Sequence, residues 1–274
     1  MSDEEAVSDP KPVEKPKRRK PAAQTGQPEI APIVLNETQR SLVDELLFSE
    51  GDEGRGAVVE RMGKLPDIDR ENVGGYLIQQ LKTQPDAVLR SWMVSAIGAT
   101  HPQGGAEAIS RLLDARREDD SMVRFWAAIR LAQLAPENLK DRLNQLRRHE
   151  EDAQVVAVSL RLLMESTNDE AYFEEWHKMA EASDWYSRFA ACKVLRKQYG
   201  LHSMASWETR ILNVLRQRIT EESETLDVKY QAALALGDGR RVQRGDGWLG
   251  WHRRDRLPPR RASGRGEPRA SSRR

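Results

Sequence analysis

From Asn36 to about Gly237 the apolar residues recur at the three- and four-residue spacing of one helical face. Asn36 predicts an N-cap, followed by a helix with Leu42, Val43, Leu46 and Leu47 on one side. The glycines between Gly51 and Gly54 predict a break, and a shorter helix is expected over about 56–64, ahead of Pro66. Beyond Pro66 the spacing predicts helices in pairs: 69–82 with 86–99, 103–117 with 120–135, 137–148 with 152–166, 168–182 with 184–199, and 204–221 with 225–237. First helices then begin near 69, 103, 137, 168 and 204, and the short connections suit antiparallel neighbours. The β-branched runs and Gly-punctuated short segments of an all-β chain are missing. The expected fold class is all-α.

The second helices repeat one another. Asp86-Ala-Val-Leu-Arg90-Ser-Trp92 matches Asp120-Ser-Met-Val-Arg124-Phe-Trp126, then Asp184-Trp-Tyr-Ser-Arg188-Phe189, and finally the stretch that begins Asp227-Val228-Lys229. The third copy, from Asp152 to Leu163, is weaker and puts Val156 where the others have arginine. Each aspartate is placed to cap a helix and to complement its dipole. Arg90, Arg124 and Arg188 follow four residues later, within reach of a local or next-repeat ion pair. Small pairs such as Ala127-Ala128, Ala190-Ala191 and Ala232-Ala233 let successive helices approach closely. Repetition of helix pairs at this period means a solenoid, in which each unit buries its apolar face on the next.

Aspartate, then Val-Arg or its equivalent, then Ala-Ala and a closing leucine: over about 69–238 this pattern resembles the HEAT-repeat family, in particular the short type associated with phycobilin lyases. The resemblance implies a right-handed α-solenoid of about five antiparallel helix pairs, with second helices lining a concave face that holds a protein or a nucleic acid. The chain departs from the pattern at Val156 and again after Leu236, where no polar capping repeat follows. The expected organisation is an arm over 1–35, N-terminal capping helices over 36–68, repeats over 69–238 and a tail over 239–274.

Charge separates these parts. The chain of 274 residues has 44 basic and 43 acidic side chains, a formal +1. Residues 1–35 carry six of each sign, whereas 239–274 carry twelve arginines against Asp246, Asp255 and Glu267. The remaining 26 basic and 34 acidic groups make the body −8. The Pro/Lys-rich arm around Lys15–Pro21 holds too little apolar surface to offset ordering, so disorder is expected. The tail has two readings: a disordered Arg-rich segment able to grip phosphates, or the product of a frame shift near Gly237. Trp248–Trp251 is its one apolar knot, and Arg244-Gly245-Asp246 is taken as a chance tripeptide. An acidic start without an apolar leader, no stretch near the roughly 20 apolar residues of a membrane span, and a single cysteine together predict a cytoplasmic protein.

Candidate chemistry is sparse. The five histidines share no i, i+4 spacing, and Cys192 lies in an apolar helix run without His or Asp companions, so no metal, no cofactor and no catalytic residue is expected. Phosphate-loop, nucleophile-elbow and dinucleotide motifs are absent from the sequence. The acidic pairs Asp119-Asp120, Glu174-Glu175 and Glu221-Glu222 read as solvated helix ends. Trp92 and Trp126 hold equivalent places, with Phe189 close to the same place. With Arg90, Arg124 and Arg188 they form either an aromatic and cationic groove stripe for a partner or part of the inter-repeat core. The expected function is a non-enzymatic scaffold whose acidic body suits a basic protein partner. Alternatives are a HEAT-like DNA-binding protein or alkylpurine DNA glycosylase, a phycobilin-lyase-like subunit, and nucleic-acid binding through the basic ends alone.

Overall fold

The computed structural model describes residues 32–196 and 206–241, with side chains as far as Gly237 in the last helix. The expectations for residues 1–31, for His202 and for the Arg-rich tail from 242 onward lie outside the described residues. Twelve helices occupy the described chain, and no strand occurs among them. They are α1 (Glu37–Phe48), α2 (Gly51–Gly63), α3 (Asp67–Leu81), α4 (Ala87–Thr100), α5 (Gly105–Arg111) and α6 (Ser121–Leu134). Then follow α7 (Leu139–His149), α8 (Ala153–Thr167), α9 (Glu170–Ala180), α10 (Trp185–Lys193), α11 (Glu208–Thr220) and α12 (Leu226–Arg241).

Each odd-numbered helix packs on the even-numbered helix that follows it, and the even helices stack on one another in the order α2, α4, α6, α8, α10, α12. The result is a two-layer stack of helix pairs. The even helices form the inner layer, gripped by a neighbour on either side and by the odd helices. Their composition follows from that position. In α6 every residue from Val123 to Leu131 is buried, and small side chains (Ala127, Ala128, Ala157, Ala190, Ala191, Ala232) sit at the buried positions where backbones approach. The odd helices are polar on their outer side; Leu143 and Leu146 of α7 and Tyr172, Phe173 and Trp176 of α9 point inward. Trp176 is fully buried and donates its indole N–H to the Ala191 carbonyl at 3.1 Å, joining the outer layer to the inner one.

Several boundaries differ from the sequence expectation, each for a local reason. Gly51 does not break a helix but turns the chain with φ of 79°, and α2 runs straight through Gly54. The pair α1 and α2 packs on the stack through α2, which lies against α4 as each later even helix lies against the next. Helix α5 is seven residues long instead of fifteen. Asp114 stops the chain from continuing it: its carboxylate accepts the Arg116 N–H at 3.1 Å, and its carbonyl accepts from Arg117 and Glu118. A short acidic side chain that bonds its own backbone offers an alternative to the helix, and an acid opposes the dipole at that end. In the last pair the cap is Thr225, whose hydroxyl accepts the Val228 N–H at 3.4 Å. The repeat register of α12 therefore starts two residues earlier than an alignment on Asp227 implies. Helix α10 ends at Lys193; Val194, Leu195 and Arg196 form a turn where helix was expected, and the rest of the expected stretch to 199 lies outside the described residues.

Candidate functional site

The N-terminal ends of the inner helices are built alike. Asp86, Asp120, Asp152 and Asp184 each cap a helix, accepting backbone N–H groups two or three residues on. Four residues into three of these helices an arginine reaches across to the following repeat. Arg90 holds both oxygens of Glu118 at 2.8 and 2.7 Å, Arg124 both of Glu150 at 2.6 and 2.8 Å, and Arg188 both of Glu224 at 2.7 and 2.9 Å. The Glu118, Glu150 and Glu224 side chains are 3%, 1% and 1% exposed.

Each of these bridges is a staple between two turns. The remaining arginine nitrogen donates to carbonyls of its own preceding turn: Arg90 to Gln84 and Pro85, Arg124 to Glu118, and Arg188 to Ala182 and Ser183. The glutamates in turn accept N–H groups of their own turns, from Asp120, from Glu151 and Asp152, and from Thr225. Side-chain hydrogen bonds to the glutamates raise the arginine pKa values above their ordinary range. Burial works against the charged Glu150 and Glu224 carboxylates, but the arginine and backbone hydrogen bonds outweigh it and hold both below the usual range. Both partners are thus fully charged and fully paired, the condition under which a buried ion pair is tolerated.

Of the six side chains singled out from the sequence, the three arginines reach the next repeat at this edge. Arg90, Arg124 and Arg188 are engaged in the bridges. Trp92, Trp126 and Phe189 are buried in the continuous core; Trp126 meets Phe125 edge-on at 5.8 Å and carries the Arg130 guanidinium over its ring at 5.5 Å. Arg130, buried with it, has its pKa lowered to about 10 by that burial. The glutamates were missed in the sequence, although Glu118 and Glu150 each precede a capping aspartate by two residues. That Glu-x-Asp spacing was the available signal.

The edge exposes acidic side chains (Asp86, Asp119, Glu151, Asp184, Asp227) and, among them, apolar ones. At the first or second position of the inner helices stand Val88, Met122, Trp185 and Leu226, all exposed, and Tyr230 continues the row along α12. The apolar positions recur in α4, α6, α10 and α12, and α8, which begins Ala153-Gln154, interrupts them.

Residues 76–164, from the middle of α3 into α8, match the family model for HEAT repeats. This stretch consists of HEAT repeats. Helices α9 to α12 lie beyond the matched stretch and continue the same pairing of outer on inner helix. The match speaks for HEAT repeats in general and not for the phycobilin-lyase type. No curated protein matches the chain.

Several other candidate side chains take part in the fold. Burial pushes the Cys192 thiol up to about 12, which leaves it a protonated core side chain. His101 closes α4 in the left-handed conformation at φ of 52°, and His177 lies 3.3 Å from Glu181. Of the acidic pairs, Asp120 caps α6, Glu174 pairs with Arg210 at 2.6 Å, Glu175 with Arg147, and Glu221 with Arg218 at 2.9 Å. Among the described residues no group of three or more His, Cys, Asp or Glu is placed to hold a metal, and no helix is long and apolar enough to cross a membrane.

Proposed function

We propose that this HEAT-repeat chain is a non-enzymatic scaffold that holds a basic protein partner against the stacked N-terminal ends of its inner helices. The observation that carries the reading is the set of exposed apolar side chains Val88, Met122, Trp185 and Leu226 at the starts of four of the inner helices. Repeat proteins bind by presenting such in-register positions on a rigid stack, and exposed large apolar side chains that cluster mark interaction surfaces. Beneath the row, Arg90, Trp92, Arg124, Trp126, Arg188 and Phe189 hold it rigid, so little ordering cost attends binding. The −8 body adds attraction for a basic partner.

The test is affinity capture from nuclease-treated native extract with the full chain and with a Met122→Glu, Trp185→Glu variant. A stoichiometric protein held by the native chain and lost by the variant, with both chains melting alike, supports the scaffold. Recovery of nucleic acid alone, abolished by nuclease, would sink it and return the function to the basic ends.

A further inference from the structure

On the outer layer, the early end of α5 opens a cleft of about 600 Å³ between α5, the turn after it and α7. Arg111, Arg116, Arg117 and Arg142 line it. Two carboxylates answer them. Glu107 lies between Arg111 at 3.3 Å and Arg142 at 2.9 Å, and Asp114 between Arg116 at 3.0 Å and Arg117 at 3.8 Å. The third carboxylate of the lining, Glu150, is already committed to Arg124. Hydrogen bonds from Arg142 and Arg116 hold the Glu107 and Asp114 carboxyls below their usual range, so both are charged at neutral pH. Four guanidinium groups therefore face two carboxylates, an excess of two positive charges in a body that is otherwise acidic. The Arg116 and Arg117 side chains, 86% and 63% exposed, keep most of their donors turned to solvent.

From this geometry we infer that the cleft binds a phosphate monoester carried on a partner polypeptide, a phosphorylated serine or threonine. The inference rests on the scaffold reading and deepens it, since it names a feature of the partner. Two surplus charges match the charge of about −1.5 to −2 on a phosphorylated side chain at neutral pH. Arg116 spends its Nε–Nη2 edge on both oxygens of Asp114, at 3.0 and 3.2 Å, and its Nη1 side beside the exposed Arg117 offers the donors that fit phosphate oxygens better than a lone carboxylate. The cleft is also much larger than a phosphate ion, and Leu113 and Leu146 in its lining give flanking peptide an apolar surface to rest on.

The test uses the full chain and a fluorescent, degenerate peptide pool with a central phosphoserine, beside the same pool with serine or with glutamate at that position. The phosphorylated pool is expected to bind at least about tenfold more tightly than either, and to weaken as salt rises. Arg116→Gln with Arg117→Gln removes that preference without moving the melting temperature, because both side chains are exposed; Arg142→Gln repeats the loss through the other wall. Met122→Glu leaves peptide binding unchanged, so the cleft and the inner edge fail or stand separately. Equal binding of the phosphorylated and unmodified pools, absence of binding by all three, or displacement by an equal concentration of inorganic phosphate would each overturn the inference.

Discussion

The junction between α6 and α8 and the junction between α8 and α10 stack the same kind of helix on the same kind of helix, yet only the first carries an arginine–glutamate pair at its N-terminal edge; the second is bound by the Arg161 guanidinium on the Val194 and Arg196 carbonyls. At the first, Arg124 and Glu150 are buried and doubly bonded. At the second, the equivalent positions are Val156, four residues past the Asp152 cap, and Ala182, two before the Asp184 cap. Both members of the pair are missing together, which is what physics requires, since either alone would be an uncompensated charge at a packed edge. A polar network without a direct ion pair stands in their place. The Gln154 side chain donates to the Tyr186 hydroxyl at 2.6 Å and accepts from Lys193 at 2.8 Å, and Tyr186 lies 3.5 Å from Asp152. The comparison teaches that helix stacking does not need the ion pair. The pair ties turns that stacking alone leaves as separate segments.

The sharpest way to break the comparison is Glu150→Ala. It strands Arg124 and takes an acceptor from the Glu151 and Asp152 N–H groups, so it is expected to cost about 3–5 kcal/mol in denaturant unfolding. Val156→Ala at the untied junction is expected to cost only about 1 kcal/mol. Equal costs would mean that Glu150 contributes no more than packing. Acid separates the junctions next. The Glu150 and Glu224 carboxyls have folded pKa values below their unfolded ones, so their stabilisation is complete above the unfolded value of about 4.3 and fades as pH falls through the folded value. The melting temperature should accordingly drop below about pH 4.3, and Glu150→Gln should shrink that drop while lowering stability at pH 7.

Helix caps give a smaller effect, expected to be the same at both junctions. Asp120→Ala and Asp184→Ala each remove a side-chain acceptor for first-turn N–H groups and should cost about 1 kcal/mol. A much larger loss at Asp120 would mean that cap and ion pair act as one unit. The smallest expected effect belongs to rebuilding the missing tie. Val156→Arg alone should destabilise, and adding Ala182→Glu should recover the loss with a coupling of about 0.5–1 kcal/mol in a double-mutant cycle, because both positions are only half-buried. No coupling would show that the α8–α10 junction has diverged in geometry as well as in sequence.

Much of this was legible in the residues. The recurrence of Asp86, Asp120 and Asp184 ahead of Arg90, Arg124 and Arg188 marks every tied inner helix, because a helix start is decided within four residues by capping chemistry. The arginine partners were not legible with the same certainty. Glu118 and Glu150 lie 28 and 26 residues from their arginines, a separation set by the length of the intervening outer helix. The premature end of α5 hid in Asp114, whose side chain competes with a helix that Leu112 and Leu113 otherwise extend. The cleft follows from that ending and from α7 standing beside it, so no single segment announces it. Trp92 and Trp126 satisfy both a groove and a core in periodicity alone, since each face of an inner helix reads as apolar.

The sequence by itself determined that the chain is a succession of capped amphipathic helices with repeating second members, because caps, periodicity and small residues act over one or two turns. Only the tertiary structure decided that α1 and α2 join the stack, that the arginines face glutamates of the next repeat, and that four other arginines share one outer cleft. Those are relations between helices, and their distances depend on how long each helix runs before its own end groups stop it.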